Sequence, residues 1–199
     1  MKKSKKTLEI KLSKLSSISN PKIELEQYST DPILASDMVN MAFMNGDIEG
    51  KTILDAGAGN GIFSYACLYF GASKVSVIEI DPDQEKILDD NLAEFSNKEI
   101  IIGNIEKIEG HWDTVICNVP FGSVIEDIDI PFLEKIFHLG DAIYLIHNWK
   151  AREFVLNFVS SRSEIIQYTK KRLIIPRTYK HHEKDRVFID VLLIYAKRK

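Results

Sequence analysis

Apolar positions follow two different spacings along the middle of the chain, and the spacing separates predicted strands from predicted helices. Short continuous apolar runs such as KTILDAG and KVSVIEID are typical of buried strands, whereas the stretches between them carry apolar residues three or four positions apart, as helices do. Five strands alternate with helices in this way between residues 51 and 147. The alternation predicts an α/β fold, in which a mostly parallel sheet is covered by helices on both faces.

The N-terminal part of the chain carries helix signals. Residues 6–18 have apolar side chains at helical spacing, and the Asn-Pro pair that follows ends this pattern. Asp31 and Pro32 combine an acidic cap with a proline in the first turn, which predicts the start of a second helix.

Two β-rich runs close the chain, at 164–175 and 186–196. The link between them, PRTYKHHEKD, is too short for the helical crossover that parallel strands need. We therefore predict that these two strands pair in antiparallel fashion.

Composition indicates a globular protein of one domain. The chain has 199 residues, of which 45% are hydrophobic and 28% charged, and no apolar run approaches the roughly 20 residues that cross a bilayer. Its basic N-terminus lacks the apolar core of a signal peptide. Cys67 and Cys117 lie in apolar segments, which predicts two buried thiols rather than a disulfide, and no Cys/His spacing suggests a metal site. We expect a cytoplasmic protein.

The net charge of −3 hides a strong asymmetry along the chain. Residues 1–30 have a net charge of +4, residues 31–149 one of −15, and residues 150–199 one of +8. Two basic ends around an acidic middle could form one face that binds a polyanion, although they could equally be solubilising ends.

A glycine-rich turn, DAGAGNG at 55–61, lies between the first strand of the alternating region and its helix. Glycines permit positive φ angles and let a ligand approach the backbone, and the helix start offers free N–H groups. Because open α/β sheets bind ligands beyond the carboxyl ends of their strands, the turn predicts a nucleotide pocket. Its spacing departs from the dinucleotide fingerprint G-x-G-x-x-G, since Ile62 stands in place of the third glycine.

The acids near this turn favour S-adenosylmethionine as the nucleotide. Asp55 is a poor neighbour for a pyrophosphate but suits a cationic amino-acid group, and S-adenosylmethionine carries an ammonium and a sulfonium without phosphate. Glu79, at the end of the second strand, is placed to accept hydrogen bonds from both ribose hydroxyls. Asn104, after the third strand, falls where nucleotide-binding folds of this kind usually have an Asp or Asn near the adenine amine, or else forms a turn with Gly103. Glycines that only shape a turn, or a nicotinamide cofactor, are the alternatives.

The run ICNVPFG places Asn118-Val119-Pro120-Phe121 at the exit of the fourth strand. A conjugated exocyclic amine is a poor nucleophile, and two acceptors that grip its N–H bonds free its lone pair. The Asn118 side-chain oxygen and the Val119 carbonyl could supply these acceptors, while Pro120 fixes the loop and the Phe121 ring stacks on a base. The alternative is a simple strand-end turn with Phe121 packed in the core.

These residues resemble the small ribosomal-RNA adenine-N6 methyltransferases of archaea and eukaryotes, the methyltransferase-like protein five family within the class I methyltransferases. NVPF resembles the N-P-P-F/Y motif, PKIELEQYSTDP resembles the family's K-x-x-L-E-Q-Y-x-T segment, and YKHHEKDRVFIDVLLI resembles its basic C-terminal hairpin. The departures are Val119 for the first proline, Ala58 for a common cysteine, and Asn104 for an acid.

The resemblance implies a Rossmann-like class I methyltransferase fold, with a seven-stranded, mostly parallel sheet whose last strand is antiparallel. It also implies one methyltransferase domain over 1–199, with a substrate-gating segment at 1–45 and a catalytic core at 46–199. The implied catalytic residues are Asn118, Val119, Pro120 and Phe121. The cofactor-binding residues are Gln27, Tyr28, Thr30, Asp55, Gly57, Gly59, Asn60, Glu79, Ile80 and Asn104.

The implied substrate is a flipped-out adenosine in structured RNA. The candidate RNA contacts are Lys170, Lys171, Arg172, Arg177, Lys180, His181, His182, Lys184 and Arg186. Family members in eukaryotes pair with a small zinc-binding activator through an edge strand, which corresponds here to EIIIGNI with its three isoleucines, Ile100 to Ile102. A homodimer or a covering loop would protect that edge equally well.

Three other functions stay open at this point. A protein glutamine has a side-chain amide that fits the same two acceptors, and a DNA adenine is a further target, disfavoured by the lack of a separate recognition domain. The last alternative is a scaffold that binds cofactor or RNA without turnover, because Val119 alters the motif.

Overall fold

The computed structural model describes residues 4–18, 20–27, 29–122, 129–176 and 186–199. The strands are β1 (Thr52–Ala56), β2 (Lys74–Glu79), β3 (Lys98–Ile102), β4 (Trp112–Asn118), β5 (Gly140–Asn148), β6 (Ser163–Pro176) and β7 (Arg186–Arg198). The helices are α1 (Lys5–Leu12), α2 (Pro32–Met44), α3 (Ile62–Phe70), α4 (Glu85–Asn91), α5 (Asp129–Leu139) and α6 (Arg152–Ser160). Short 3-10 helices lie at Ile23–Leu25, Pro82–Gln84, Ile105–Lys107 and Trp149–Ala151.

The seven strands form one sheet in the order β3-β2-β1-β4-β5-β7-β6. β1 to β5 are mutually parallel where they pair, and β7 is antiparallel to both of its neighbours, β5 and β6. This confirms the predicted seven-stranded α/β sheet with an antiparallel last strand. The strand order reverses direction between β1 and β4, which is where ligands bind in open sheets of this kind.

Helices cover both faces of the sheet, as the alternating pattern predicts. On one face, α1, α2 and α3 bury apolar side chains such as Leu8, Leu34 and Phe63 against the strands. On the other face, α5 and α6 bury Leu133 and Val155 among others. The strands between them are apolar on both sides, because both sides face a helical layer.

The start of α2 is predicted correctly, whereas the end of α1 is not. Asp31 caps α2, because its side chain accepts a hydrogen bond from the backbone N–H of Ile33 at 2.9 Å. In contrast, α1 ends at Leu12 rather than at residue 18, and the Ser16 N–H instead donates to the side chain of Asn91 at 2.9 Å. A tertiary hydrogen bond of this kind gives no periodic signal in the sequence.

The β6–β7 hairpin extends past the rest of the sheet. The last pair between β5 and β7 is Asn148 with Val191, whereas β6 and β7 remain paired as far as Pro176 with Arg186. Residues 186–190 therefore continue beyond the end of β5, by about 17 Å at roughly 3.4 Å per residue. The carboxyl end of β5 lies at the base of this extension.

Among the residues that the structure describes, none of the helices combines the length and the apolar character that a membrane crossing requires. Cys67 and Cys117 are both buried and free of disulfides, as predicted.

Candidate active site

A cavity of about 270 Å³ opens at the carboxyl ends of β1, β2, β3 and β4. It lies at the point where the strand order reverses, and its far wall is the N-terminal segment between residues 18 and 30. The predicted site residues that line it are Gln27, Thr30, Gly57, Gly59, Asn60, Glu79, Ile80, Asn104, Asn118, Val119 and Pro120. The fold thus brings most of the predicted cofactor and catalytic residues to one place, with Asp55 and Phe121 as exceptions.

The glycine turn shapes the floor of the cavity. Gly57 and Gly59 have φ angles of 71° and 57°, a region that residues with a Cβ rarely occupy. A Cβ atom at Gly59 would also come within 3.3 Å of the Ile18 side chain, which belongs to the N-terminal wall. Glycine is therefore required here both by the backbone conformation and by the close approach of that wall.

Glu79 presents its carboxylate at the cavity and is held by backbone donors on both oxygens. One oxygen accepts from the N–H of Gly59 at 2.7 Å and the other from the N–H of Asp81 at 2.9 Å. Burial raises the pKa of this carboxyl above its ordinary range. The two backbone bonds fix the orientation that the predicted ribose contact would need.

Asp55 differs from the other predicted cofactor residues, because it does not line the cavity. Its side chain is fully buried and accepts from the Ser64 backbone N–H at 2.9 Å and from the Ser64 hydroxyl at 2.6 Å. The second carboxylate oxygen, Oδ1, has no partner among the described residues. Burial raises the pKa of Asp55 to about 7. Its observed contact is thus with the first turn of α3, and a cofactor contact remains a prediction.

Two asparagines join the glycine turn to Ser16, just before the N-terminal wall. The Asn60 side chain donates to the carbonyl of Ser16 at 3.0 Å. The Asn91 side chain donates both to that same carbonyl and to the carbonyl of Asn60, at 3.0 and 2.8 Å. Asn104 also lines the cavity, and its side chain caps the following 3-10 helix by accepting from the Glu106 N–H at 2.9 Å.

The Glu-Gln segment is tied to the exit of β2 through Asp81. The Gln27 amide donates to Asp81 at 2.9 Å, and the Lys22 ammonium lies 2.5 Å from the same carboxylate. These donors hold the pKa of the almost fully buried Asp81 carboxyl well below its usual range. Tyr28 lies outside the described residues.

Asn118, the last residue of β4, contacts the N-terminal wall through its amide nitrogen. That nitrogen donates to the Thr30 hydroxyl at 3.2 Å, while the amide oxygen has no partner within the described parts of the chain. A buried acceptor without a partner is costly unless a ligand supplies a donor. The Val119 N–H is used by the sheet, donating to the Ile146 carbonyl at 3.1 Å.

Phe121 does not present the ring face that the sequence suggests. Its side chain is only 9% exposed, does not line the cavity, and packs against His147 with ring centroids 5.6 Å apart. Its backbone N–H donates to the carboxylate of Glu26 at 2.5 Å. The ring is buried because the side chain and the backbone are both held by other elements, so a base could stack on it only after the loop opens.

His147 supports the loop from within the protein. Its Nε2–H donates to Asp129 at 3.0 Å and its Nδ1 accepts from the Asn148 N–H at 2.8 Å, which fixes one neutral tautomer. Burial lowers the pKa of His147 below its ordinary value despite the nearby carboxylate.

Sequence reasoning missed several residues of the site. Glu26, Ile18 and Phe132 line the cavity, and Glu26 adopts a left-handed conformation with φ of 49°. Glu26 could have been found, because it adjoins Gln27 in the quoted Glu-Gln-Tyr segment. Ile18 and Phe132 are single apolar residues within helical patterns, and no local signal separates them from core residues.

The candidate RNA contacts on β6 are paired with acids of the same chain. Lys170 lies 2.7 Å and Arg172 3.9 Å from the carboxylate of Asp190, whereas Lys171 points to the opposite face and lies 2.8 Å from Asp37. The side chain of Arg186 is not described. Arg177, Lys180, His181, His182 and Lys184 lie outside the described residues.

Comparisons with known proteins agree with this arrangement. Residues 37–135 match the family model of the ribosomal protein L11 methyltransferase, PrmA. The chain is 31% identical to the rRNA N6-adenosine-methyltransferase METTL5 of Danio rerio, covering 94% of this chain and 95% of that protein. It is 30% identical to the Drosophila melanogaster enzyme of the same name, over 92% of each chain.

A solved structure supports the same relationship. The crystal structure of a Pyrococcus horikoshii protein, described as a candidate RNA methyltransferase, superposes with a TM-score of 0.93 at 36% identity, over 100% of this chain and 99% of that one. With the cavity, the glycine turn and the NVPF loop in place, these matches establish that the chain belongs to the METTL5 family of N6-adenosine methyltransferases and uses S-adenosylmethionine.

Proposed function

We propose that this protein transfers a methyl group from S-adenosylmethionine to the N6 amine of an adenosine in structured RNA, with ribosomal RNA as the substrate. The observation that carries this proposal is the amide oxygen of Asn118, a buried acceptor without a partner among the described residues, on a side chain that lines the cavity. An exocyclic amine of adenine would supply the missing donor.

Two residues of the NVPF loop would accept the hydrogen bonds of that amine. The Asn118 oxygen accepts one N–H and the Val119 carbonyl the other, which localises the nitrogen lone pair for attack on a methyl group. The Thr30 hydroxyl holds the other end of the Asn118 amide, so that the oxygen keeps its orientation. Positioning and electrostatics of this kind need no covalent enzyme intermediate.

The cofactor site would be formed by the glycine turn and the exits of β2 and β3. Glu79 would accept from the ribose hydroxyls, and Gly57 and Gly59 would allow close approach of the backbone. S-adenosylmethionine supplies the electrophilic methyl group when it is bound. The chemistry of the cavity suits it, since Glu26, Glu79 and Glu106 line the wall and none of the described lining residues is a lysine or arginine.

Affinity for RNA would come from the basic ends of the chain. Lys170, Arg172 and the hairpin beyond them carry part of the net charge of +8 in residues 150–199. Contacts between such cations and phosphates give affinity without sequence information, so the cavity must choose the target base.

A labelling experiment tests this function. The purified protein is incubated with tritiated S-adenosylmethionine and, separately, with ribosomal subunits, a protein extract and DNA. We expect label in ribosomal RNA, as N6-methyladenosine after nuclease digestion. Label in protein alone would instead favour glutamine methylation, and cofactor binding without any transfer would favour a scaffold.

The variant Asn118→Ala tests the catalytic assignment. Loss of one preorganised hydrogen-bonding group should lower kcat by about 10²- to 10³-fold, whereas the cofactor Kd measured by calorimetry should hardly change. The variant Asn157→Ala, an exposed asparagine on α6, makes the same chemical change away from the cavity and should keep full activity. Transfer that survives in the Asn118 variant would disprove the role.

We also propose that a second protein, small and zinc-binding, covers the edge strand β3. Three observations support a partner there: β3 is the outermost strand, its isoleucines Ile100 to Ile102 are only partly buried, and its outer backbone groups face away from β2. Any zinc would belong to the partner, because the described parts of this chain contain no cluster of metal ligands.

A further inference from the structure

We propose that one face of the β6–β7 hairpin, the aromatic strip formed by Trp149, Lys170, Arg172 and Phe188, binds the single-stranded nucleotides that flank the target adenosine. The bases would stack on the two aromatic rings while the two cations contact the phosphates. This inference rests on the proposed function, because it names the part of the RNA that the hairpin would hold.

The register of the strands places these residues on one face. Arg172 pairs directly with Asp190, and Lys170 pairs directly with Leu192. Phe188 lies two residues before Asp190 on β7. Side chains at alternate positions of a strand share a face, and directly paired residues point the same way. Leu192 belongs to the core layer under α5 and α6, and Trp149 packs against that same layer.

Measured contacts connect the members of the strip. The Lys170 ammonium lies 5.2 Å from the centre of the Trp149 ring, and the Arg172 guanidinium lies 5.7 Å from the centre of the Phe188 ring. Phe188 is 57% exposed, which is unusual for a phenylalanine on a strand. Trp149 is half-buried. Accessible aromatic rings interleaved with cations are typical of surfaces that bind single-stranded nucleic acid.

The strip begins beside the active site. Trp149 comes directly after β5 and two residues after His147. The His147 ring in turn contacts Phe121 of the NVPF loop. From there the strip runs outward along the part of the hairpin that extends beyond β5. RNA that leaves the cavity would therefore meet Trp149 first and Phe188 further out.

Asp190 weakens the strip in the free protein. Its carboxylate lies 2.7 Å from the Lys170 ammonium and 3.9 Å from the Arg172 guanidinium, so it competes with phosphates for both cations. Removal of this carboxylate should release the two cations and strengthen the binding of RNA. A merely structural role for Asp190 predicts no such gain.

Binding of a short single-stranded oligoadenylate, measured by fluorescence anisotropy, tests the stacking. Trp149→Ala and Phe188→Ala should each raise the Kd by about 5- to 150-fold, the range measured for loss of one stacked base. Met44→Ala removes a 74% exposed apolar side chain at the end of α2 and should leave the Kd unchanged. In a Trp112→Phe protein, Trp149 is the remaining tryptophan, and its fluorescence should change as oligoadenylate is added.

The salt dependence separates stacking from charge. Trp149→Ala and Phe188→Ala should weaken binding without changing the slope of log Kd against log salt concentration. Lys170→Gln and Arg172→Gln should each reduce the slope by about 0.7, the value expected for one lost phosphate contact on a single strand. Asp190→Asn should lower the Kd.

Two outcomes would overturn the proposal: oligoadenylate affinity that is unchanged in both aromatic variants, or aromatic variants that alter the salt slope as the cation variants do. Failure of the proposed function looks different. In that case ribosomal RNA would take up no label, although the aromatic variants would still weaken oligoadenylate binding. If instead the labelling succeeds and the aromatic variants bind normally, the function stands and the strip is wrong.

Discussion

Asp55 shows what a single buried acid does to this protein. Burial raises its pKa from the ordinary 3.8 to about 7, and the two hydrogen bonds from Ser64 offset the cost of the charge only in part. Between these pH values the folded state holds a proton that the unfolded state has lost. The contribution of Asp55 to the free energy of unfolding must therefore fall as the pH rises from about 4 to about 7.

The variant Asp55→Asn tests this pH dependence. The fall in the free energy of unfolding that Asp55 causes across this range should approach about 4 kcal/mol, from 1.36 kcal/mol per unit of pKa shift. Urea unfolding at several pH values measures it, and the asparagine variant should lack that part of the fall. Glu79, whose pKa is also raised, causes a further fall in the free energy of unfolding with rising pH, and both proteins share that fall. Parallel curves for the two proteins would show that Asp55 stays ionised in the folded state.

At the residue scale, the sequence predicted which residue types meet but not how they bond. The glycine turn, Glu79 and residues Asn118 to Pro120 meet at one cavity, because each follows a strand and parallel strands end at the same edge of a sheet. The burial of Phe121 was only the alternative from the sequence, since it depends on Glu26 and His147, which lie far away in sequence. Contacts of this kind follow from tertiary packing, which local patterns do not encode.

At the scale of elements, the segment from Lys22 to Thr30 joins the two halves of the site. Gln27 and Lys22 hold Asp81 at the exit of β2, while Glu26 holds the backbone of Phe121 beyond the exit of β4. The left-handed conformation of Glu26 is costly for a residue with a Cβ, and tertiary contacts must maintain it. We therefore expect this segment to position the NVPF loop.

Glu26→Ala tests that positioning. Without the carboxylate, the Phe121 N–H loses the acceptor on Glu26, and the NVPF loop should occupy its reactive position less often. A shift equivalent to about 1 to 3 kcal/mol, the cost of one lost buried hydrogen bond, corresponds to a kcat lower by about 5- to 150-fold. The cofactor Kd should change little, because the Asp81 contacts remain. Hydrogen exchange of the Phe121 amide should become faster.

Two further variants sharpen the Glu26 experiment. Glu26→Gln keeps an oxygen acceptor and should restore much of the activity. Glu24→Ala removes an exposed carboxylate from the 3-10 helix that Glu26 directly follows and should behave as the wild type. If the alanine variants at 24 and 26 behaved alike, the segment would not act through Phe121.

The elements themselves were predicted with unequal success. Strand positions were accurate, because a strand buried on both faces reads as a continuous apolar run. Helix starts such as Asp31 were accurate for a local reason, the cap. The end of α1 was wrong, because the chain leaves the helix after Leu12 and Ser16 then bonds to Asn91, a residue far away in the sequence.

At the scale of the whole molecule, the sheet has two edges with different surroundings. β6, at one edge, carries charged side chains such as Lys170 and Arg172, which discourage pairing with another strand. β3, at the other edge, ends in three consecutive isoleucines. An uncovered apolar edge strand can pair with the same strand of another copy, so a partner bound to β3 would prevent self-association.

The backbone of β3 suggests how to test for that partner. The Gly103 N–H donates to the Glu79 carbonyl of β2, so by the two-residue period of a strand the N–H of Ile100 points away from the sheet. Ile100→Pro should thus block pairing with a partner while it keeps the bonds to β2. Ile100→Ala, which keeps the N–H, is the matched control.

The protein purified from its native host provides the readout. We expect light scattering to give the mass of this chain plus one small chain, with stoichiometric zinc, for the wild type and for Ile100→Ala. Ile100→Pro should give the mass of one chain without zinc and an unchanged fold by circular dichroism. A doubled mass without zinc would point to a homodimer at this edge. A monomeric wild-type protein would mean that β3 needs no partner, because its isoleucines pack well enough against their own helical layers.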